Sequence, residues 1–169
     1  AVALFLRKNL QQAYISAAVR TDQLFPYGTH PKLDYLWGTE KLQFIHYGTE
    51  LSRFEKIIHS ISQSELALSY LRVCTENTKG NYNCSQCTKC LRTMIQLVAT
   101  KSLDKATTFK SKPDLDLVRS MYFDYSHNYQ VEAEPVIAML KKEKREPELL
   151  AALQESLRNS KKGPPLIKK

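Results

Sequence analysis

The stretch LRVCTENTKGNYNCSQCTKCLRTM, Leu71 to Met94, carries every cysteine of the chain, spaced C-x9-C-x2-C-x2-C as Cys74, Cys84, Cys87 and Cys90. Thiolates two residues apart can converge on one ion, because a tight turn between them aims both sulfurs inward. Zinc takes four such ligands in a tetrahedron, at about 2.3 Å each. Leu71 to Cys74 reads as a short strand, and Lys89 to Thr100 as a helix with Leu91, Ile95 and Val98 on one face. Cys74 then sits at a strand end, Cys84 and Cys87 on a knuckle, and Cys90 in the first turn of the next helix. That helix N-terminus, with Lys89 and Arg92, offsets the charge of the thiolates. Four thiolates leave no open position, so a zinc ion here is expected to be structural.

Three alternatives compete with zinc. Two disulfides are disfavoured by a cytosolic setting and by the crowding of three cysteines between Cys84 and Cys90. Unrelated buried thiols would be scattered along the chain rather than gathered. An iron–sulfur cluster is the serious competitor, since C-x2-C-x2-C also serves such clusters.

Upstream of this stretch, residues 2–10 read as helical and Tyr14 to Val19 as a strand. Turn formers then dominate from Thr21 to Gly38, with Pro26, Gly28 and Pro31. Gln43 to Tyr47 reads as a second strand, ending at Gly48. Leu51 to Ile61 follows as a helix with Leu51, Phe54, Ile57, Ile58 and Ile61 at helical spacing, and Ser64 to Leu68 as another helical turn. Strands separated by helices imply a parallel sheet with crossover connections.

Downstream the pattern is helical. Pro113, after Ser111, suits a first helical position, with Leu115, Val118, Tyr122 and Tyr125 at helical spacing. Glu134 to Lys144 and Glu146 to Asn159 read as two more helices, the second started by Pro147 and ended by Gly163, Pro164 and Pro165. Its buried face is marked by Leu149, Leu150, Leu153 and Leu157. The expected organisation is an α/β layer over 1–105, a helical extension over 106–160 and a basic tail over 161–169.

The 169 residues are 43% hydrophobic, enough for one compact domain with a core. No apolar run approaches a membrane span, and the opening AVALFLRKNL has the reverse order of a signal peptide, so a soluble cytoplasmic protein is expected. The chain starts at Ala1 in what reads as mid-helix, and three strands are few for a free-standing sheet, so it is read as a fragment. Net charge is +8, and Lys141 to Lys169 holds nine basic and four acidic residues, a net +5. Such an excess suits RNA or an acidic partner, but a solvated helix face and a lysine-rich tail account for it more simply, and the nucleic-acid reading is secondary.

The second unusual stretch is FPYGTHPKLDYLWGTE, Phe25 to Glu40, which gathers His30, Asp34, Glu40 and the sole tryptophan, Trp37. Loops at the carboxyl ends of strands in open sheets are where ligands bind. His30 and Asp34 are therefore candidate substrate-side residues. Arg53 can neutralise an anionic group, and Glu55 can orient Arg53 or handle a proton. His46 and His59 read as structural histidines, and Trp37 as core.

The order of PYGTHPKLDYLWGTE, GTELSRFEKI, LRVC and YNCSQCTKCLRTM resembles a family of uncharacterised bacterial proteins linked to polysaccharide gene clusters. Those are similar to the PP-loop ATP pyrophosphatases of the adenine nucleotide alpha-hydrolase superfamily. The cysteine spacing is similar to that of the 7-cyano-7-deazaguanine synthases, which hold structural zinc on C-x8-C-x2-C-x2-C. The resemblance covers roughly residues 13–110. It implies a partial Rossmann-like parallel sheet, the C-terminal half of a PP-loop domain. It also implies ATP and magnesium as cofactors, and a small-molecule substrate adenylated with release of pyrophosphate. Those enzymes grip phosphate through an SGGxDS loop. This sequence has none, its five glycines being isolated. The other expectation is a noncatalytic zinc-stabilised module that holds RNA or an acidic partner with its basic helical end. A homodimer is compatible with either.

Overall fold

Strand β2 (Gln43–Tyr47) forms over the expected residues and pairs in parallel with β1 (Gln12–Ser16), in the register Gln12 to Gln43 through Ser16 to Tyr47. The computed structural model describes residues 2–26, 28–76, 80–110, 112–124 and 132–163. Strand β1 begins and ends earlier than expected. Its last rung is the amide of Ala17 on the carbonyl of Tyr47, 2.8 Å, after which the chain turns away. Helix α1 (Val2–Phe5) is a single turn rather than a helix reaching residue 10, followed by turn bonds up to Asn9.

The chain divides into two compact units, Ala1–Arg53 and Phe54–Lys169. In the first, the connection between the strands carries two single 3-10 turns, Thr21–Gln23 and Asp34–Trp37. A Cβ at Gly38 would lie 3.0 Å from the carbonyl oxygen of Tyr35 and 3.1 Å from that of Leu42, so glycine lets the chain fold back into β2. Leu42 is fully buried there, whereas Trp37 is 62% exposed and so is not a core residue.

The second unit is helical. Helix α2 (Arg53–His59) is shorter than the expected Leu51 to Ile61, because a 3-10 turn takes over at Ile61–Gln63. Helix α3 (Glu65–Tyr70) follows Ser64, whose hydroxyl accepts the amide of Ala67 at 3.2 Å as an N-cap. Helix α4 (Thr88–Ala99) is the centre of the unit. Leu91, Ile95 and Ala99 face one apolar cluster, and Cys90, Met94 and Leu97 face the other. Burial on both sides makes α4 core from Cys90 onward, as the expected face of Leu91, Ile95 and Val98 only half anticipates.

Leu71 to Cys74 does not form the expected strand. Its backbone groups are taken by side chains: Asn83 Oδ1 accepts the amides of Val73 and Cys74, and the carbonyl of Leu71 accepts from Asn83 Nδ2 and Thr108 Oγ1. The described sheet therefore has two strands, and the chain is mixed helix and strand.

Helix α5 (Leu115–Ser120) starts two residues later than Pro113 suggested, because Asp114 Oδ1 caps it through the amides of Asp116 and Leu117. It ends before Tyr122, because α7 competes for the backbone that follows. The amide of Phe123 donates to Ser160 Oγ at 2.9 Å, and Ser156 Oγ donates to the carbonyl of Met121 at 2.6 Å. Ser111 and Tyr125 lie outside the described residues. Helices α6 (Glu134–Glu143) and α7 (Pro147–Ser160) form as expected and bury Val136, Leu140, Leu149, Ala152 and Leu153 against α4. The guanidinium of Arg145, between them, donates to the carbonyl of Ala99 at 2.9 Å and so closes the C-terminus of α4. Among the described residues no helix is long and apolar enough to cross a membrane.

One residue of α4 is out of place. Gln96 is buried, and neither Nε2 nor Oε1 has a partner among the described residues. An unpaired buried amide costs about 1–3 kcal/mol, and methionine has similar volume without that cost. Gln96→Met is expected to raise stability by about 1 kcal/mol in denaturant unfolding. An unchanged or lowered midpoint would show that the amide is satisfied in solution.

Candidate metal centre

The four cysteines come together in the second unit. Cys74 ends the irregular stretch held by Asn83, Cys84 and Cys87 flank a tight turn, and Cys90 projects from the first turn of α4. Their sulfurs all lie within 4.8 Å of one another. Cys74 Sγ is 3.9 Å from Cys87 Sγ, and Cys84 Sγ is 3.8 Å from Cys90 Sγ. A disulfide needs about 2.05 Å, so these are four unbridged thiols. Such a set could hold a metal ion.

The turn that aims the sulfurs is under strain. Ser85 has φ 61°, a left-handed conformation that only glycine adopts freely. It is held there by packing and by its hydroxyl, which accepts the amide of Lys110 at 3.1 Å. The amide of Cys87 points back at Cys84 Sγ, 3.2 Å away. Cys74 and Cys90 are buried against Met94, Leu97, Ala106 and Phe109, while Cys84 and Cys87 reach towards solvent. Lys89 is exposed, and Arg92, expected to offset thiolate charge, is paired with Glu132 at 3.2 Å.

Asn83 is the residue that sequence reasoning missed. It is fully buried, and all its hydrogen-bonding capacity is used. Oδ1 accepts from Val73 at 2.9 Å and Cys74 at 3.2 Å; Nδ2 donates to the carbonyl of Leu71 at 2.8 Å and to Thr108 Oγ1 at 3.0 Å. A single side chain thus ties the Cys74 segment to the turn carrying Cys84.

Burial pushes the Cys90 thiol far up from its ordinary value and raises that of Cys87. Burial acts the same way on Cys84, but the amides of Cys87 and Gln86 and hydrogen bonds with Cys74 and Cys87 outweigh it and bring that thiol down to about 6. In neutral solution an entering ion must displace the protons of Cys87 and Cys90. Metal affinity is therefore expected to fall with pH, read by competition with a chelator at about pH 8 and about pH 6. Equal affinity at the two would show that the thiols are not the ligands.

The other candidate residues lie in α2 and in the first unit. Arg53 opens α2, exposed, and Glu55 is half-buried in the same turn. Asp34 is almost fully buried. Its Oδ1 accepts the backbone amide of His30 at 3.1 Å, and its Oδ2 lies 2.5 Å from His46 Nδ1. The ring of His30 points elsewhere, its Nδ1 accepting the amide of Lys32 at 3.1 Å. The structure thus brings Asp34 to His46, which the sequence offered only as a structural histidine; His59 is exposed.

No protein-family model matches the chain, and neither does any curated protein or solved structure.

Proposed function

We propose that Cys74, Cys84, Cys87 and Cys90 hold one structural zinc ion, and that the chain is the zinc-clasped portion of an ATP-dependent adenylating enzyme of the PP-loop type. The sulfur separations carry the zinc assignment. Four sulfurs at about 2.3 Å from one ion stand about 3.8 Å apart along the edges of a tetrahedron. The observed 3.8 and 3.9 Å are of that size. In a four-iron cluster each cysteine caps a different iron, which spreads the sulfurs further apart. With four thiolates the ion would have no open position, so it would supply stability and no chemistry to a substrate.

The adenylating reading rests on the resemblance and is supported by the parallel pair of β1 and β2 with a polar loop between them. The partial Rossmann-like sheet belongs to this proposal, and the phosphate-gripping loop would lie outside these residues. The carboxylate or carbonyl oxygen of a small substrate would attack ATP with magnesium, pyrophosphate would leave, and a nitrogen or sulfur nucleophile would displace AMP. Arg53 would neutralise an anionic group, while Asp34 and His30 would shape the loop and Glu55 would steady Arg53. The test is pyrophosphate release from ATP by the full-length protein, with loss of turnover in His30→Ala and Arg53→Ala. A full-length protein that binds no ATP contradicts the reading.

A noncatalytic module binding RNA or an acidic partner is the second reading, favoured by the exposed Lys141, Lys142, Lys144, Arg158, Lys161 and Lys162. These stand in two groups at opposite ends of α7, about 20 Å apart along a helix of this length, rather than in one patch. Retention on RNA that falls steeply with salt and is lost in Lys161→Ala/Lys162→Ala would favour it.

A further inference from the structure

The geometry points to His46 as a proton acceptor for a substrate N–H or O–H, with Asp34 as its positioning residue. Both side chains are nearly buried, 6% exposed for His46 and 2% for Asp34, and Nδ1 meets Oδ2 at 2.5 Å. A carboxylate only accepts, so the ring hydrogen is assigned to Nδ1 and the lone pair to Nε2. Asp34 is fixed in turn by the amide of His30 on Oδ1. The ring is therefore held in one tautomer and one orientation, the arrangement that makes an imidazole an effective base.

Nε2 has been left available. It has no hydrogen-bond partner among the described residues, and the only fully buried unpartnered side-chain polar atoms among them are those of Gln96, so Nε2 reaches solvent. His46 is the fourth residue of β2, near the carboxyl end of a parallel pair, where open sheets bind ligands. The turn Asp34–Trp37 that supplies the carboxylate buries only its charged residue. Tyr35, Leu36 and Trp37 are each more than 60% exposed. Packing alone selects the reverse, burying leucine and tryptophan and leaving aspartate in water. The turn is organised around delivering a carboxylate to His46, with an apolar rim beside it.

In the step, the substrate N–H or O–H bond breaks and its proton joins Nε2, giving an imidazolium balanced by Asp34. The electron pair stays on the nucleophile, which bonds to an electrophilic carbon. Only the identity of that carbon, bearing AMP as leaving group, rests on the adenylating reading.

The test needs no ATP, so failure of the adenylating reading leaves it untouched. Nitrogen-15 NMR of the folded chain, above the ordinary titration range of histidine, is expected to show His46 with hydrogen on Nδ1 and none on Nε2. Diethyl pyrocarbonate is expected to modify His46, found by peptide mapping. In Asp34→Asn the amide can donate to Nδ1 and move the hydrogen to Nε2, so the tautomer should switch and the modification be lost. Hydrogen on Nε2 in the native chain, or a His46 that resists the reagent in the folded protein, overturns the proposal. Unchanged modification in a folded Asp34→Asn overturns the positioning role, and if that variant does not fold, the native spectrum alone decides.

Discussion

Cys90→Ser is expected to destabilise the second unit by at least about 4 kcal/mol, the range reached when a metal site or buried network is lost. Cys90 is fully buried, between the sulfur cluster and the apolar side chains of Met94 and Leu97. A serine there would remove one of four ligands and bury a hydroxyl where a thiol had packed. For a chain of this size, about 4 kcal/mol corresponds to a fall in Tm of about 8–16 °C. The mechanism is separable from simple packing loss by adding a chelator. Chelation should bring the native protein down towards Cys90→Ser and have little further effect on the variant. If activity is measured as well, it should fall only with the fold. Chelation that abolished activity while leaving the structure intact would mean that the ion takes part in chemistry.

Asn83→Ala is expected to cost about 3–4 kcal/mol, although Asn83 is neither a ligand nor apolar. Its removal leaves the amides of Val73 and Cys74 without their acceptor inside a buried loop. It also takes a donor from Thr108 and one of two donors from the carbonyl of Leu71. Each buried group left unpaired costs about 1–3 kcal/mol, with the lower end applying where Thr108 still serves Leu71. Asn83→Asp provides the sharper comparison. It keeps an oxygen to accept the amides of Val73 and Cys74, loses both N–H donors, and places a negative charge beside the thiolates. It should be no better tolerated than alanine, and metal affinity should fall with it. A fully stable Asn83→Asp, measured by thermal unfolding, would mean that the amide is not what holds the Cys74 segment.

What could be read in advance follows from how local each feature is. The cysteine spacing is legible because three of the ligands lie within one turn and the start of one helix, where local geometry governs which way the sulfurs point. Strand β2 and helices α4, α6 and α7 are legible from strong local patterns, such as the repeat of Leu149, Leu150, Leu153 and Leu157 in α7. Leu71 to Cys74 misleads for the opposite reason. Its β-branched and apolar residues favour an extended chain, but whether an extended chain joins a sheet depends on a partner. Here the partner is the side chain of Asn83. The one available signal was an asparagine directly before the knuckle, since asparagine side chains readily substitute for backbone hydrogen bonds. The pairing of Asp34 with His46 left no such trace. The two residues are brought together by the way the connection returns to β2, and nothing in the spacing of a lone histidine and a turn aspartate announces it.

Metal analysis combined with X-ray absorption on the protein as purified tests the central claim most directly. One zinc per chain, surrounded by four sulfurs at about 2.3 Å, is the predicted result. Iron in place of zinc with absorbance near about 400 nm, as a cluster would give, or a folded protein with no bound metal, would contradict it.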